Sequence, residues 1–134
     1  MQTTTTYMPK IVTQKKIAGY TSRLLEGYNS IMAYDDNILS FRFSAYGTLI
    51  LFNIMNSYYN NKPITSEEIA NSIDYKFGSR NSILNLIKTA EKNKLITRAV
   101  SKSDQRQKYI IPTKALIYSH EKMIGFILNL ENKS

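Results

Sequence analysis

Apolar residues in this chain recur first at three- and four-residue steps, then almost without interruption, and near the C-terminal third in two short β-prone runs. Ile17, Tyr20, Leu24, Leu25, Tyr28, Ile31 and Met32 follow the first spacing and put one apolar face on a helix over about residues 13–34. Asp35-Asp36-Asn37 breaks that pattern and reads as a solvated loop, because two carboxylates without further oxygen donors make a weak cation site. From Ser44 to Tyr59 the sequence is apolar nearly all round, through Leu49, Ile50, Leu51, Phe52, Ile54 and Met55. A helix of that kind belongs at the centre of a core. Asn60-Asn61-Lys62-Pro63 ends it with turn chemistry.

The next segment is punctuated by caps. Thr65 with Glu68 three residues on is a capping box, and Ile64 can staple against Ile69 inside a short helix that ends near Ile73. Gly78 and Ser79 open another helix, whose inner face is Ile83, Leu84, Leu86, Ile87 and Ala90 and which fades at Asn93-Lys94. Two strands follow, Leu95 to Val100 and Lys108 to Ile111, joined by the polar link Ser101 to Gln107. Pro112 stops the second strand, and Thr113 caps a last long helix. The expected fold class is mainly α with a small β-hairpin, a winged helix-turn-helix. A flexible tail, residues 1–12, precedes one domain over residues 13–134. Its lobe for binding is about 64–113, and its flanking helices are about 13–34 and 113–131.

Charge changes this picture. Ten basic residues lie between residues 76 and 114: Lys76, Arg80, Lys88, Lys92, Lys94, Arg98, Lys102, Arg106, Lys108 and Lys114. Only Glu91 and Asp104 oppose them, which leaves the segment at +8, the net charge of the whole chain. The rest sums to zero. Charge segregated in this way points to a negative partner, and nucleic acid fits best, since lysine and arginine release counterions from its phosphates. In a helix-turn-helix the second helix enters the major groove and the first braces it. Ser79, Arg80, Asn81, Ser82, Asn85 and Lys88 lie at the start or on the polar face of that second helix, and Lys102, Arg106 and Lys108 lie on the hairpin.

Other chemistry finds little support. There is no cysteine and one histidine, His120, so thiolate or histidine metal sites and a hydrolase triad within one chain are disfavoured. No glycine-rich phosphate loop is present, no cofactor is implied, and an enzyme is not expected. No apolar run approaches a membrane span and no signal peptide is apparent, so a cytoplasmic address is expected.

The run Ala90-Glu91-Lys92-Asn93-Lys94-Leu95-Ile96-Thr97-Arg98, with Ser103-Asp104-Gln105-Arg106 and Ile111-Pro112-Thr113, resembles the multiple-antibiotic-resistance-regulator (MarR) family. The resemblance covers residues 64–118 by motif and the flanking helices by pattern. It implies a homodimeric transcriptional regulator that binds double-stranded DNA. It implies Arg106 in the minor groove, Arg98 on the first wing strand as a further DNA-binding residue, and Asp104 holding the wing through a local ion pair with Arg98. It also brings a small-molecule effector of unspecified identity into view, because the family includes such sensors. This chain departs from the family pattern with Ala90 in place of leucine, Lys94 in place of glycine, and a longer turn at Asp74 to Gly78. Dimerisation is expected through a stripe at seven-residue period on the last helix, Leu116, His120, Met123, Ile127 and Leu130. The alternative is a winged-helix module of transcription or replication machinery that binds another protein without specific DNA readout.

Overall fold

A short helix that the apolar pattern did not predict packs on three of the longer ones. The computed structural model describes residues 11–132, with side chains over 13–30 and 35–129. Most of the expected N-terminal tail, and the side chains of Ile31, Met32 and Leu130, lie outside the described residues. The elements are α1 (Ile11–Tyr34), α2 (Asp36–Arg42), α3 (Ala45–Tyr59), α4 (Ser66–Ser72), a 3-10 turn (Tyr75–Phe77), α5 (Arg80–Lys92), β1 (Ile96–Val100), β2 (Lys108–Pro112) and α6 (Lys114–Asn132). Helix α1 takes in Ile11 and Val12, which the sequence had suggested as tail.

The predicted Asp35 loop is in fact the cap of α2. Asp35 is buried, and its carboxylate accepts from the backbone N–H groups of Asn37 and Ile38 at 3.0 and 3.3 Å. The carboxylate also pairs with Lys122 of α6 at 3.6 Å. An acidic N-cap satisfies orphan donors and favours the positive end of the helix dipole. Ile38 and Phe41, one turn apart, are fully buried where α2 packs on α1, α3 and α6. Helix α3 then starts tightly, with Ser44 as its cap and Gly47 pressed on the carbonyl of Phe41.

The core is continuous. It runs from Ile38 and Phe41 through Ile50, Leu51, Ile54 and Met55 of α3 to Ile69, Ile83, Ile87, Ile96 and Ile110. The other expected caps are present. Thr65 and Glu68 form the capping box of α4, and Ser79 caps α5 by accepting from Ser82 N–H at 3.1 Å. Strands β1 and β2 pair antiparallel with Ile96 opposite Pro112 and Val100 opposite Lys108. Ile110 N–H also donates to Ile64 O at 2.8 Å, which fixes the hairpin to the residues before α4. At the base of the wing, the Thr113 hydroxyl donates to the carbonyls of Lys94 and Leu95 at 2.9 and 3.1 Å, while it accepts from Leu116 N–H at 3.5 Å.

Lys94 ends α5 with φ of 62°, in the left-handed region. Glycine adopts that conformation freely, whereas a side chain there is strained. Lys94→Gly should therefore raise stability by about 0.5–1 kcal/mol, read as a higher urea midpoint at unchanged m-value. A lower midpoint would contradict the assigned backbone geometry.

Four of the five residues expected to meet a partner helix pack within the chain. Leu116, His120 and Met123 are buried, and Ile127 packs partly buried on the same core. Their face of α6 lies against α2 and the end of α3. Asn37 donates to Ser119 at 3.1 Å, Arg42 to the sulfur of Met123 at 3.6 Å, and the rings of Tyr59 and His120 lie 6.0 Å apart. Burial holds the His120 pKa below its ordinary value against a smaller opposing pull from the Glu121 carboxylate, which makes the neutral ring the form that suits this core. On the two flanking helices the large apolar residues left exposed are others, Ile17, Tyr20, Leu24, Leu25 and Tyr28 on α1 and Tyr118, Ile124 and Leu128 on α6.

Candidate nucleic-acid interface

Helix α5 has a strongly two-sided composition. Ile83, Ile87 and Ala90 are buried, while Asn81, Asn85 and Lys88 are exposed at steps of four and three residues and so share one face. This face carries two amides and an ammonium, the groups that hydrogen-bond base edges and phosphates. Ser79 and Ser82 lie at its start, but their hydroxyls are joined to each other at 2.9 Å and serve the helix cap.

Arg80 is placed differently from expectation. Its guanidinium turns back to α4, where it forms an ion pair with Glu67 and donates to Asn71 Oδ1 at 3.0 Å. Both pairing side chains are well exposed, so the latch is one that phosphate can compete for.

Arg98 is also engaged. Strand residues alternate faces, and Arg98 shares the inward side with buried Ile96 and, across the ladder, Ile110. Its Nε donates to Glu91 of α5 at 2.9 Å and its terminal nitrogen to Ser66 of α4 at 2.8 Å. It joins three elements under the wing, and the expected ion pair with Asp104 is replaced by the one with Glu91. The alternation around Ile96 was the available signal for this inward placement. Glu67, Asn71, Glu91 and Ser66, which hold the two arginines, were not singled out from sequence.

The wing tip is built on local bonds. Ser101 is buried and accepts from the N–H groups of Ser103 and Asp104 at 3.2 and 3.3 Å. Asp104 accepts from Arg106 N–H at 3.0 Å and lies 3.5 Å from the guanidinium of the same residue. Arg106 is nevertheless 93% exposed, so the tip presents it outward on a closed loop. Lys102 and Lys108 are exposed beside it. Between the wing and the start of α4 lies an open cleft of about 280 Å³, lined by Thr65, Ser66, Glu67, Arg98, Arg106, Gln107 and Lys108. The structure thus brings Asn81, Asn85 and Lys88 onto one face, leaves Lys102, Arg106 and Lys108 outward on the wing, and turns Arg80 and Arg98 toward carboxylates.

Among the described residues, no group of three or more His, Asp or Glu side chains could hold a metal ion, and no helix is long and apolar enough to cross a membrane.

No family model matches the sequence, and no curated protein matches it. Solved structures do. The Staphylococcus aureus MepR–DNA complex is 18% identical, with 84% of this chain and 76% of that one covered at a TM-score of 0.61. Transcriptional regulator Tm0710 from Thermotoga maritima is 19% identical, covering 85% and 76% at 0.53. AbsC, a MarR family transcriptional regulator from Streptomyces coelicolor, is 14% identical, covering 96% and 81% at 0.50. At these identities the likeness establishes architecture, and the architecture is the winged helix-turn-helix fold of MarR-family transcriptional regulators.

Proposed function

We propose that this chain is a transcriptional regulator that binds double-stranded DNA sequence-specifically as a homodimer. The observation that carries the reading is charge placement: the segment from the 3-10 turn through α5 and the wing to the start of α6 accounts for the full +8. In this reading Asn81, Asn85 and Lys88 enter the major groove, and amides there make bidentate bonds to adenine edges. Arg106 reaches the adjacent minor groove, whose narrow tracts attract arginine. MepR, one of the proteins similar in fold, has been crystallised with DNA, which supports the same partner here.

The dimer is assigned to the apolar residues that α1 and α6 leave uncovered, with Leu24 and Leu25 on α1 and Tyr118 and Leu128 on α6 all more than half exposed. Helices α1 and α6 pack on each other, so the two sets belong to one layer. A second copy covering them would bury apolar surface and double the phosphate contacts. Selection of bound sequences from random duplex DNA tests the whole reading. The expected product is a palindrome with half-sites about one helical turn apart. Recovery of no enriched motif would remove sequence-specific binding.

The Arg80 latch gives a sharper expectation. Glu67 both occupies Arg80 and sets a negative charge beside the groove face. Glu67→Gln should tighten duplex binding severalfold and steepen the log–log salt slope by about 0.9 per protomer, as one more cation meets phosphate. Titrations at several salt concentrations check this, and unchanged or weaker binding would show that Glu67 does not restrain Arg80.

A further inference from the structure

The turn between α4 and α5 is the part of the fold that the groove-facing residues leave unexplained. It is a 3-10 turn of Tyr75, Lys76 and Phe77, and its two ends are fixed. At one end Asp74 accepts from Lys76 N–H at 3.0 Å. At the other, Gly78 lies so close to Tyr46 of α3 that an added Cβ would stand 2.4 Å from the ring and 2.9 Å from the Tyr46 Cβ. Such an approach admits only glycine without a shift of the turn. A turn held at both ends presents its side chains in one place. It presents Tyr75, which is 87% exposed, and Lys76, whose ammonium lies 5.6 Å from the centre of the Phe77 ring.

A scattered exposed aromatic is ordinary on a protein surface. This one is combined with a lysine, fixed in position, and placed just before the N-cap of the helix assigned to the major groove. Recognition helices lead with their N-terminal residues. The residues immediately preceding therefore stand at the groove edge, where the sugar–phosphate backbone runs. Tyr75 is four residues from Ser79, a reach of at most about 14 Å, comparable with the roughly 12 Å width of the major groove. Lysine and tyrosine both bond phosphate oxygens, and a lysine held over an aromatic ring keeps its charge directed while losing little to it.

Resting on the DNA-binding reading above, we infer that the Tyr75–Lys76–Phe77 turn is a backbone clamp. The Lys76 ammonium and the Tyr75 hydroxyl bind phosphates on the wall of the groove that α5 enters, and Phe77 positions the lysine. The clamp contributes affinity and register, and it carries no base preference.

The test uses the full chain and a mixed-sequence duplex, with affinity measured by fluorescence anisotropy over a range of salt. Lys76→Gln should make the log–log slope shallower by about 0.9 per protomer. Tyr75→Phe, which removes only the hydroxyl, should weaken binding about three- to tenfold per protomer, the net worth of one hydrogen bond. Phosphate-ethylation interference should lose its outermost sites in both variants. Lys15→Gln on α1 serves as the charge-matched control and should leave the slope unchanged. The high exposure of Tyr75 and Lys76 makes loss of folding an unexpected outcome, and thermal unfolding checks it. If both turn variants bind and protect phosphates like the unmodified chain while Lys88→Gln and Arg106→Ala weaken binding, the clamp is overturned and DNA binding stands. If the unmodified chain shows no salt-dependent duplex binding, both readings fall.

Discussion

Between about 50 and 200 mM salt, the affinity of this chain for duplex DNA should fall by about three to four powers of ten. The expectation combines charge with geometry. Of the ten basic residues in the positive segment, Arg80 and Arg98 are occupied by Glu67 and Glu91. Lys88, Lys102, Arg106 and Lys108 stay exposed on α5 and the wing. Roughly three or four phosphate contacts per protomer, doubled in a dimer, give a log–log slope of about −5 to −7. A fourfold rise in salt acting through that slope yields the stated loss. Titration of a labelled duplex at several salt concentrations measures it directly. A drop of less than about tenfold would mean that one or two ion pairs at most are made, and the charge segregation would then need another partner.

Phe41→Ala should cost about 3–5 kcal/mol of unfolding free energy, a large share of the roughly 5–15 kcal/mol that holds a domain of this kind together. Phe41 is fully buried in α2. That helix packs on α1, α3 and α6, so truncation opens a cavity where four helices meet. The surroundings have little freedom to collapse into it. The carbonyl of Phe41 accepts from the Thr48 hydroxyl at 3.3 Å and sits against Gly47, which fixes the backbone on one side. The Asp35–Lys122 and Asn37–Ser119 pairs fix α2 on the other. Urea unfolding of the variant and the unmodified chain gives the difference, and a loss under about 1 kcal/mol would place Phe41 outside the core.

The part of the fold that positions the interface was legible because its boundaries are written in cap and turn chemistry. Thr65 with Glu68, Ser79, Asn93-Lys94, Pro112 and Thr113 mark ends that the structure keeps within a residue or two. Helix α2 was not legible. Its seven residues bury only Ile38 and Phe41, too few to show a period, and its cap is an acidic pair that equally describes a loop. On α6, Leu116, His120 and Met123 were assigned to a partner helix and are buried within the chain instead. Periodicity identifies a face and cannot say whether α2 of the same chain or a second copy lies on it. Arg80 illustrates a different limit: its position at the start of α5 suggested the groove, whereas only the packing of α4 beside it brings Glu67 and Asn71 within reach. Arg98 was expected at the DNA and beside Asp104, although strand alternation around buried Ile96 was the signal for its inward side.

The Thr113 hydroxyl lies where the wing meets α6, bonded on one side to the carbonyls that precede β1 and on the other to the first turn of the helix. It is a fixed point from which the wing extends. Each wing strand has five residues, about 17 Å, so a tilt of about ten degrees at that point would sweep the Arg106 end by about 3 Å. That is one hydrogen-bond length. A small change of angle where α6 begins would therefore be magnified at the wing tip.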